Sequence, residues 1–177
     1  MIAFVSGGAR SGKSAFAESL VREYQRQRGG ARYYLATAMP GDAEMAARIA
    51  RHRVERGDAW RTLEAATLDL ALAEVEPASV LLLDCLTLWA SRVLFELDLE
   101  ASAALAQLER ALAKARTADM ALVVVSNDIN EGMPPEDDAS WRYLALLQAA
   151  HCRVAAEADC VVQVVAGLPQ VWKGSLP

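Results

Sequence analysis

Gly7-Gly8-Ala9-Arg10-Ser11-Gly12-Lys13-Ser14 is the stretch of sequence that decides the fold. It matches the pattern G-x-x-x-x-G-K-[ST] in full, and it follows the short apolar run Ile2–Ser6, which predicts a buried strand. The sequence after it predicts a helix that ends at Gly29-Gly30. The motif and its strand–helix context together predict a phosphate-binding P-loop.

Each residue type in this loop has a physical reason to be there. Glycines let the backbone turn so that successive N–H groups point at phosphate oxygens, and the helix N-terminus adds a partial positive charge. Lys13 is predicted to act catalytically by bringing its charge to the outer phosphates, and the Ser14 hydroxyl to hold Mg²⁺. The alternative is a glycine-rich turn that binds no ligand. The predicted nucleotide-binding residues in this stretch are Gly7, Gly8, Ala9, Arg10, Ser11, Gly12, Lys13 and Ser14.

Short apolar runs alternate with helical patterns along the rest of the chain. Further strands are predicted at Arg32–Ala38, Trp60–Ala65, Val80–Leu83, Met120–Ser126, Cys160–Val165 and, as an edge strand, Val171–Trp172. Helices are predicted at Asp42–Arg56, Leu68–Glu74, Leu86–Leu97, Ala101–Arg116 and Ser140–Ala158. This alternation predicts an α/β, three-layer P-loop NTPase-like domain with a mostly parallel sheet flanked by helices. No repeat or linker is visible, so we expect residues 1–177 to form a single catalytic domain.

Composition narrows the class of protein. The chain has 177 residues, 54% hydrophobic and 23% charged, which is typical of a globular domain, and its net charge of -5 argues against broad nucleic-acid binding. No apolar stretch reaches the roughly 18 residues that span a membrane. The three cysteines form no C-x-x-C pair, so we expect no disulfide framework and a cytoplasmic location. Cys85 and Cys160 are expected to be buried packing residues.

Asp84 directly follows the apolar run Leu81-Leu82-Leu83, where P-loop proteins place a carboxylate for magnesium. We therefore predict that Asp84 binds nucleotide-associated Mg²⁺ together with Ser14. The alternative is that Asp84 caps the next helix, with Thr87 as a rival cap.

His52 is one of two histidines and lies among arginines on the predicted Asp42–Arg56 helix. The arginines could clamp a polyphosphate, and their charge would keep the imidazole neutral and nucleophilic. The alternative is a surface histidine on a solvated basic helix. His151 is interpreted as a helix-surface or partly packed residue.

Five segments in this order resemble the bifunctional adenosylcobinamide kinase/adenosylcobinamide-phosphate guanylyltransferase family of cobalamin biosynthesis. The segments are the P-loop Gly7–Ser14, Tyr34–Ala38, Glu44–Ile49 with His52 and Arg53, Trp60–Thr62 with Glu64, and Leu83–Trp89 with its D-C-L-T-L-W motif. The resemblance implies two reactions, with Mg²⁺. A nucleoside triphosphate, ATP or GTP, phosphorylates adenosylcobinamide, and a histidine then carries GMP from GTP to the substrate phosphate.

The resemblance also implies roles for particular residues. The guanylylated histidine of the family corresponds to His52, which becomes the preferred catalytic nucleophile. The nucleotide contacts outside the P-loop correspond to Thr37, Ala38, Met39, Arg53, Val54, Glu55, Arg56, Glu64 and Asp84. The family forms a trimer, so a homo-oligomer is expected.

The chain departs from the family pattern after Ser126, where Asn127-Asp128-Ile129-Asn130 replaces the usual N-E-V-G. We expect these segments to shape the corrinoid side or the subunit contact. Two rival functions remain open: a P-loop small-molecule kinase that forms no covalent nucleotide intermediate, and a non-catalytic nucleotide-binding regulatory module.

Overall fold

The structure is a computed structural model that describes residues 1–37, 59–63, 67–129 and 135–177. The predicted helix Asp42–Arg56 lies outside the described residues. The strands are β1 (Ile2–Gly7), β2 (Arg32–Ala36), β3 (Arg61–Leu63), β4 (Val80–Asp84), β5 (Ala121–Asn127), β6 (Cys160–Val165) and β7 (Leu168–Lys173). The helices are α1 (Lys13–Arg28), α2 (Leu68–Ala73), α3 (Leu86–Ser91), α4 (Ala101–Thr117) and α5 (Asp138–Glu157). A π-helical segment, Arg92–Glu96, continues α3.

The strands form one sheet in the order β3-β2-β4-β5-β1-β6-β7. Neighbouring strands are parallel except β7, which runs antiparallel to β6. Crossover connections bring the carboxyl ends of the parallel strands to the same edge of the sheet, where ligands bind in such folds. The predicted mostly parallel sheet is therefore confirmed, and the P-loop lies at that edge because it follows β1.

The three central strands, β4, β5 and β1, bury both of their faces along most of their length, which is why they read as continuous apolar runs. Ala3 and Val5 of β1 belong to the cluster that packs against α1. Ile2 and Phe4, which alternate with them, belong to the cluster that contains the buried faces of α2 to α5. The described elements thus form three layers, with the sheet in the middle.

Two helix boundaries differ from the sequence prediction by two or more residues. Asp137 caps α5 by accepting a hydrogen bond from Ser140 N at 2.8 Å, so the helix begins at Asp138 rather than Ser140. The predicted Leu86–Leu97 helix is α-helical only to Ser91.

Among the described residues, no helix combines the length and apolar character that crossing a membrane requires.

Candidate active site at the carboxyl edge of the sheet

Two glycines of the P-loop, Gly7 and Gly12, are required by their surroundings or by their backbone conformation. A Cβ on Gly7 would lie 2.5 Å from Val164 O and 2.6 Å from Ser11 Oγ, so only glycine fits there. Gly12 has φ 91°, a left-handed conformation that favours glycine, and it stands at the N-cap of α1. Gly8, Ala9 and Arg10 form the exposed outer part of the loop.

The loop is supported by the turn between β6 and β7. Gly167 N donates a hydrogen bond to Ser11 O at 2.8 Å, and within the loop Ser11 N donates to Gly8 O at 3.2 Å. The bond from Gly167 holds the backbone of the loop against a strand pair at the opposite end of the sequence. The conformation expected from the glycine pattern is therefore secured by a long-range contact.

Lys13 and Ser14 begin α1 and are brought to the mouth of the loop. The Lys13 side chain is buried, and its Nζ donates to Gly8 O at 3.1 Å. Ser14 is half-buried in the first turn of the helix, where the backbone N–H groups carry partial positive charge. The arrangement supplies a cation, a hydroxyl and a helix N-terminus together, which is a set suited to phosphates.

Asp84 ends β4 on the side of the sheet that faces α1. Leu82, two residues earlier, belongs to the cluster packed against that helix, and side chains two residues apart in a strand share a face. The strand register places Asp84 level with Val125 of β5, which in turn is level with Val5 of β1. Two strand spacings separate Asp84 from Val5, or roughly 10 Å between Cα atoms.

The capping alternative for Asp84 is wrong. The N-cap residue of α3 is Cys85, and Thr87, the proposed rival cap, lies within the helix. The Asp84 Oδ2 atom instead accepts a hydrogen bond from the Tyr34 hydroxyl at 3.2 Å. Tyr34 is a diagonal neighbour on the adjacent strand, since Ala36 rather than Tyr34 is directly opposite Asp84.

Thr37 joins the ends of β2 and β4. Its buried hydroxyl donates to Cys85 O at 2.9 Å and accepts from Cys85 N at 2.8 Å. These two bonds fix the backbone directly after Asp84. The predicted nucleotide contact of Thr37 stays a prediction, and the observed role of its side chain is to hold the segment that carries the carboxylate.

Cys85 is a buried packing residue, as predicted, and so is Cys160. Burial, and secondly the negative charge of Asp84, raise the pKa of the Cys85 thiol. The thiol therefore stays protonated at neutral pH, and its Sγ lies 2.7 Å from Thr87 Oγ1. All three cysteines are free thiols.

The family described as "Cobinamide kinase / cobinamide phosphate guanyltransferase" matches residues 3–171 of this chain. The chain belongs to that family. It is 40% identical over 180 residues to the "Bifunctional adenosylcobalamin biosynthesis protein CobP" of Pseudomonas aeruginosa, covering 96% of both chains. It is 34% identical over 181 residues to the Escherichia coli "Bifunctional adenosylcobalamin biosynthesis protein CobU", covering 95% of this chain and 97% of the relative. The family resemblance inferred from the sequence is thus confirmed.

A solved structure shows the same fold at low sequence identity. A KaiC-like protein from Pyrococcus horikoshii superposes with a TM-score of 0.52 and 12% identity, covering 92% of this chain and 69% of that chain. At this identity the likeness concerns the fold alone.

The structure brings together some of the predicted site residues. Gly7–Ser14, Thr37 and Asp84 lie at one edge of the sheet. The other predicted residues lie outside the described part of the chain: Ala38, Met39, His52, Arg53, Val54, Glu55, Arg56 and Glu64.

Sequence reasoning missed two tyrosines at this edge. Tyr34 contacts Asp84, and the Tyr143 hydroxyl donates to Thr87 O at 3.2 Å. The sequence signal for Tyr34 is its position two residues before the end of an inner strand, next to the strand that ends at Asp84. Tyr143 carries no such signal, because it reaches the edge from a helix.

His151 is partly packed, as one part of its interpretation predicted. Its Nε2 lies 2.7 Å from the hydroxyl of buried Ser126, and its ring centroid lies 5.4 Å from that of Phe4. Burial lowers the pKa of His151, and the charge of Asp128 opposes this more weakly. Phe4 belongs to the cluster on the far side of the sheet from α1, so this pair lies on the opposite face of the sheet from the P-loop helix.

Proposed function

We propose that the protein phosphorylates adenosylcobinamide and then transfers GMP from GTP to adenosylcobinamide phosphate through a histidine–GMP intermediate. The observation that carries the proposal is the meeting of a complete P-loop and Asp84 at one edge of the sheet, in a chain of this family. The related proteins named above are described as bifunctional and belong to adenosylcobalamin biosynthesis.

In the kinase reaction, the substrate hydroxyl oxygen attacks the γ-phosphorus of ATP or GTP, and the nucleoside diphosphate leaves. Lys13 and the P-loop N–H groups stabilise the charge that spreads over the transferred phosphoryl oxygens. No covalent bond between the protein and the phosphoryl group forms in this step. Positioning and charge therefore account for the contribution of this part of the site.

The described residues fit Mg²⁺ as a partner of a triphosphate. Mg²⁺ prefers oxygen ligands and usually binds through one or two carboxylates plus substrate phosphates. Asp84 and the Ser14 hydroxyl offer such oxygens, and no cluster of three or more His, Cys, Asp or Glu side chains exists among the described residues. When bound, the ion would neutralise charge on the phosphate oxygens, with Ser14 and Asp84 holding it.

In the nucleotidyl reaction, the His52 imidazole attacks the α-phosphorus of GTP and pyrophosphate leaves. An oxygen of the substrate phosphate then attacks the same phosphorus, and the P–N bond breaks. The arginines near His52 in the sequence would stabilise the negative charge that develops on the α-phosphate. The assignment of His52, and of Ala38, Met39, Arg53, Val54, Glu55, Arg56 and Glu64 as nucleotide contacts, rests on the sequence.

The direct test is mass spectrometry of the protein after incubation with GTP and Mg²⁺. We expect the mass to increase by one GMP in the wild type and in His151→Gln, and not in His52→Ala. His151 is the matched control because it is the other histidine of the chain. His52→Ala should still phosphorylate adenosylcobinamide, since attack by a substrate hydroxyl needs no protein nucleophile.

The results of this experiment distinguish the proposed function from the two rival functions. An adduct on His52→Ala would assign the nucleotide to another residue. Phosphorylation of a small substrate by a wild type that forms no adduct would favour the simple kinase. Tight GTP binding without either reaction would favour the regulatory module.

We also propose a single domain over residues 1–177, a cytoplasmic location and a homo-oligomer, with a trimer suggested by the family resemblance. The single domain is supported by strands from both ends of the chain sharing one sheet, and the cytoplasm by free cysteines. Exposed apolar side chains on the edge strand support self-association, namely those of Leu168, Val171 and Trp172. Light scattering of the purified protein measures the oligomer directly.

A further inference from the structure

A cavity of about 310 Å³ opens beside the ends of β4 and β5, between α3 and α5. Its volume is at the low end of the range for small-molecule sites. One part of its wall is polar and is formed by Thr87, Ser91, Asn127 and Tyr143. None of the described residues that line the cavity carries a charge at neutral pH.

The rest of the wall is apolar and partly exposed. It consists of Leu88, Phe95 and Ile129, whose exposed fractions are 36%, 56% and 37%. The Phe95 ring lies 6.3 Å from that of Tyr143 between centroids. An apolar rim of this kind can cover a larger apolar surface than the cavity itself encloses.

The cavity is a direct neighbour of the P-loop. Asn127, the last residue of β5, is paired in register with Gly7, the first residue of the loop. Thr87 follows Asp84 by three residues and lies in the first turn of α3. A group bound in the cavity therefore lies beside the loop that is predicted to hold the phosphates, on the side of β5.

The chemistry of the lining selects a neutral ligand with amide or hydroxyl groups. Hydroxyls and an amide both donate and accept hydrogen bonds, whereas a phosphate site would offer cations or several N–H donors. Burial raises the pKa of Tyr143, so its phenol stays uncharged. The P-loop therefore suits the charged nucleotide, and the cavity suits a neutral acceptor.

We propose that this cavity is the acceptor site: it binds the neutral side arm of cobinamide that bears the reacting hydroxyl, and Phe95 and Ile129 cover part of the apolar corrin ring. The inference rests on the proposed function, because it takes cobinamide as the phosphoryl acceptor. It assigns to Asn127, Ile129 and Tyr143, which follow Ser126, a role in recognising the acceptor rather than the nucleotide.

The test compares the KM for adenosylcobinamide and the KM for the nucleotide in two variants. Phe95→Ala removes the aromatic part of the rim, and Ser91→Trp fills the cavity. Leu70→Ala and Ser102→Trp are the matched controls, since Leu70 is 57% exposed on α2 and Ser102 is exposed on α4. Thermal unfolding shows that each variant is folded.

We expect Phe95→Ala to raise the KM for adenosylcobinamide by roughly two- to tenfold, the range of an aromatic contact. Ser91→Trp should raise it further, and both variants should keep the nucleotide KM and the yield of the GMP adduct. The controls should match the wild type. Because Phe95 is more than half exposed, Phe95→Ala tests the assignment even if Ser91→Trp does not fold.

An unchanged KM for adenosylcobinamide in a folded Phe95→Ala and Ser91→Trp would overturn the proposal. So would a change confined to the nucleotide KM, which would assign the cavity to the nucleotide. A wild type that does not phosphorylate adenosylcobinamide would refute the proposed function itself, and the acceptor assignment with it.

Discussion

Thr37→Val is the substitution whose effect on stability can be worked out from the structure. Valine has nearly the same shape as threonine but lacks the hydroxyl, and this hydroxyl makes two buried hydrogen bonds to the backbone of Cys85. Each such bond contributes about 0.5–1.5 kcal/mol, and leaving its partner buried and unbonded costs about 1–3 kcal/mol. We therefore expect the free energy of unfolding to fall by about 2–3 kcal/mol.

For a chain of this length, 1 kcal/mol corresponds to a Tm change of about 2–4 °C, so Tm should fall by roughly 4–12 °C. Urea unfolding followed by circular dichroism gives the free energy, and a calorimetric scan gives Tm. Thr37→Ser keeps the hydroxyl and should recover most of the loss. Thr117→Val is the matched control because its hydroxyl is exposed and bonds to Lys114 O within the same helix, and it should change stability by less than about 0.5 kcal/mol.

The reasoning would be refuted if Thr37→Val were as stable as Thr117→Val, or if Thr37→Ser were as unstable as Thr37→Val. The first result would mean that the Cys85 backbone finds other partners. The second would mean that keeping the hydroxyl does not preserve stability, so the loss in Thr37→Val would not be assigned to the two hydrogen bonds.

Three further predictions concern charged or titrating groups. Lys13→Ala should lower the rate of both proposed reactions by about a hundredfold or more, because the pyrophosphate and the γ-phosphate bind to the same loop. The control Lys114→Ala should leave both rates unchanged, and normal rates in Lys13→Ala would reject the P-loop assignment. Asp84→Asn should raise the Mg²⁺ concentration that kinase activity requires, and it should lower kcat more than it lowers nucleotide affinity. The control at an exposed aspartate, Asp119→Asn, should change neither quantity. An unchanged Mg²⁺ titration in Asp84→Asn would show that Asp84 does not hold the metal. Because burial lowers the pKa of His151 in the folded state, the unfolded chain takes up the proton first as pH falls below about 6.5, with a slope of at most about 1.4 kcal/mol per pH unit. Wild-type stability should thus fall between pH 7 and pH 5 more steeply than that of His151→Gln, and parallel curves in denaturant titrations would contradict this.

The strands could be predicted from the sequence because an inner parallel strand buries both faces. Val80–Leu83 is an uninterrupted apolar run and Cys160–Val165 is interrupted only by Gln163, and both are strands in the structure. The position of the P-loop followed from its motif, and that of Asp84 from the strand before it. These features depend on local pattern, which the sequence displays directly.

The contacts that complete the candidate site could not be predicted in this way. Tyr34 and Asp84 are 50 residues apart, and Thr37 and Cys85 are 48 apart. Each contact depends on strand order and register, which periodicity alone leaves undetermined. The alternative that Asp84 caps the next helix is wrong because that helix begins one residue later than the alternative requires, with Cys85 as its N-cap.

The hydrogen bond from Gly167 to Ser11 also bears on when the phosphate loop can assemble. The loop itself occupies residues 7–14 and leaves the ribosome early. The hydrogen bond that holds Ser11, however, is donated by Gly167, which lies 156 positions later in the chain. Contacts of such sequence separation form late, because the intervening chain must first be ordered. During synthesis the nascent chain therefore carries the nucleotide-binding sequence without its finished shape, and tight nucleotide binding should begin only once the β6–β7 turn has emerged and paired.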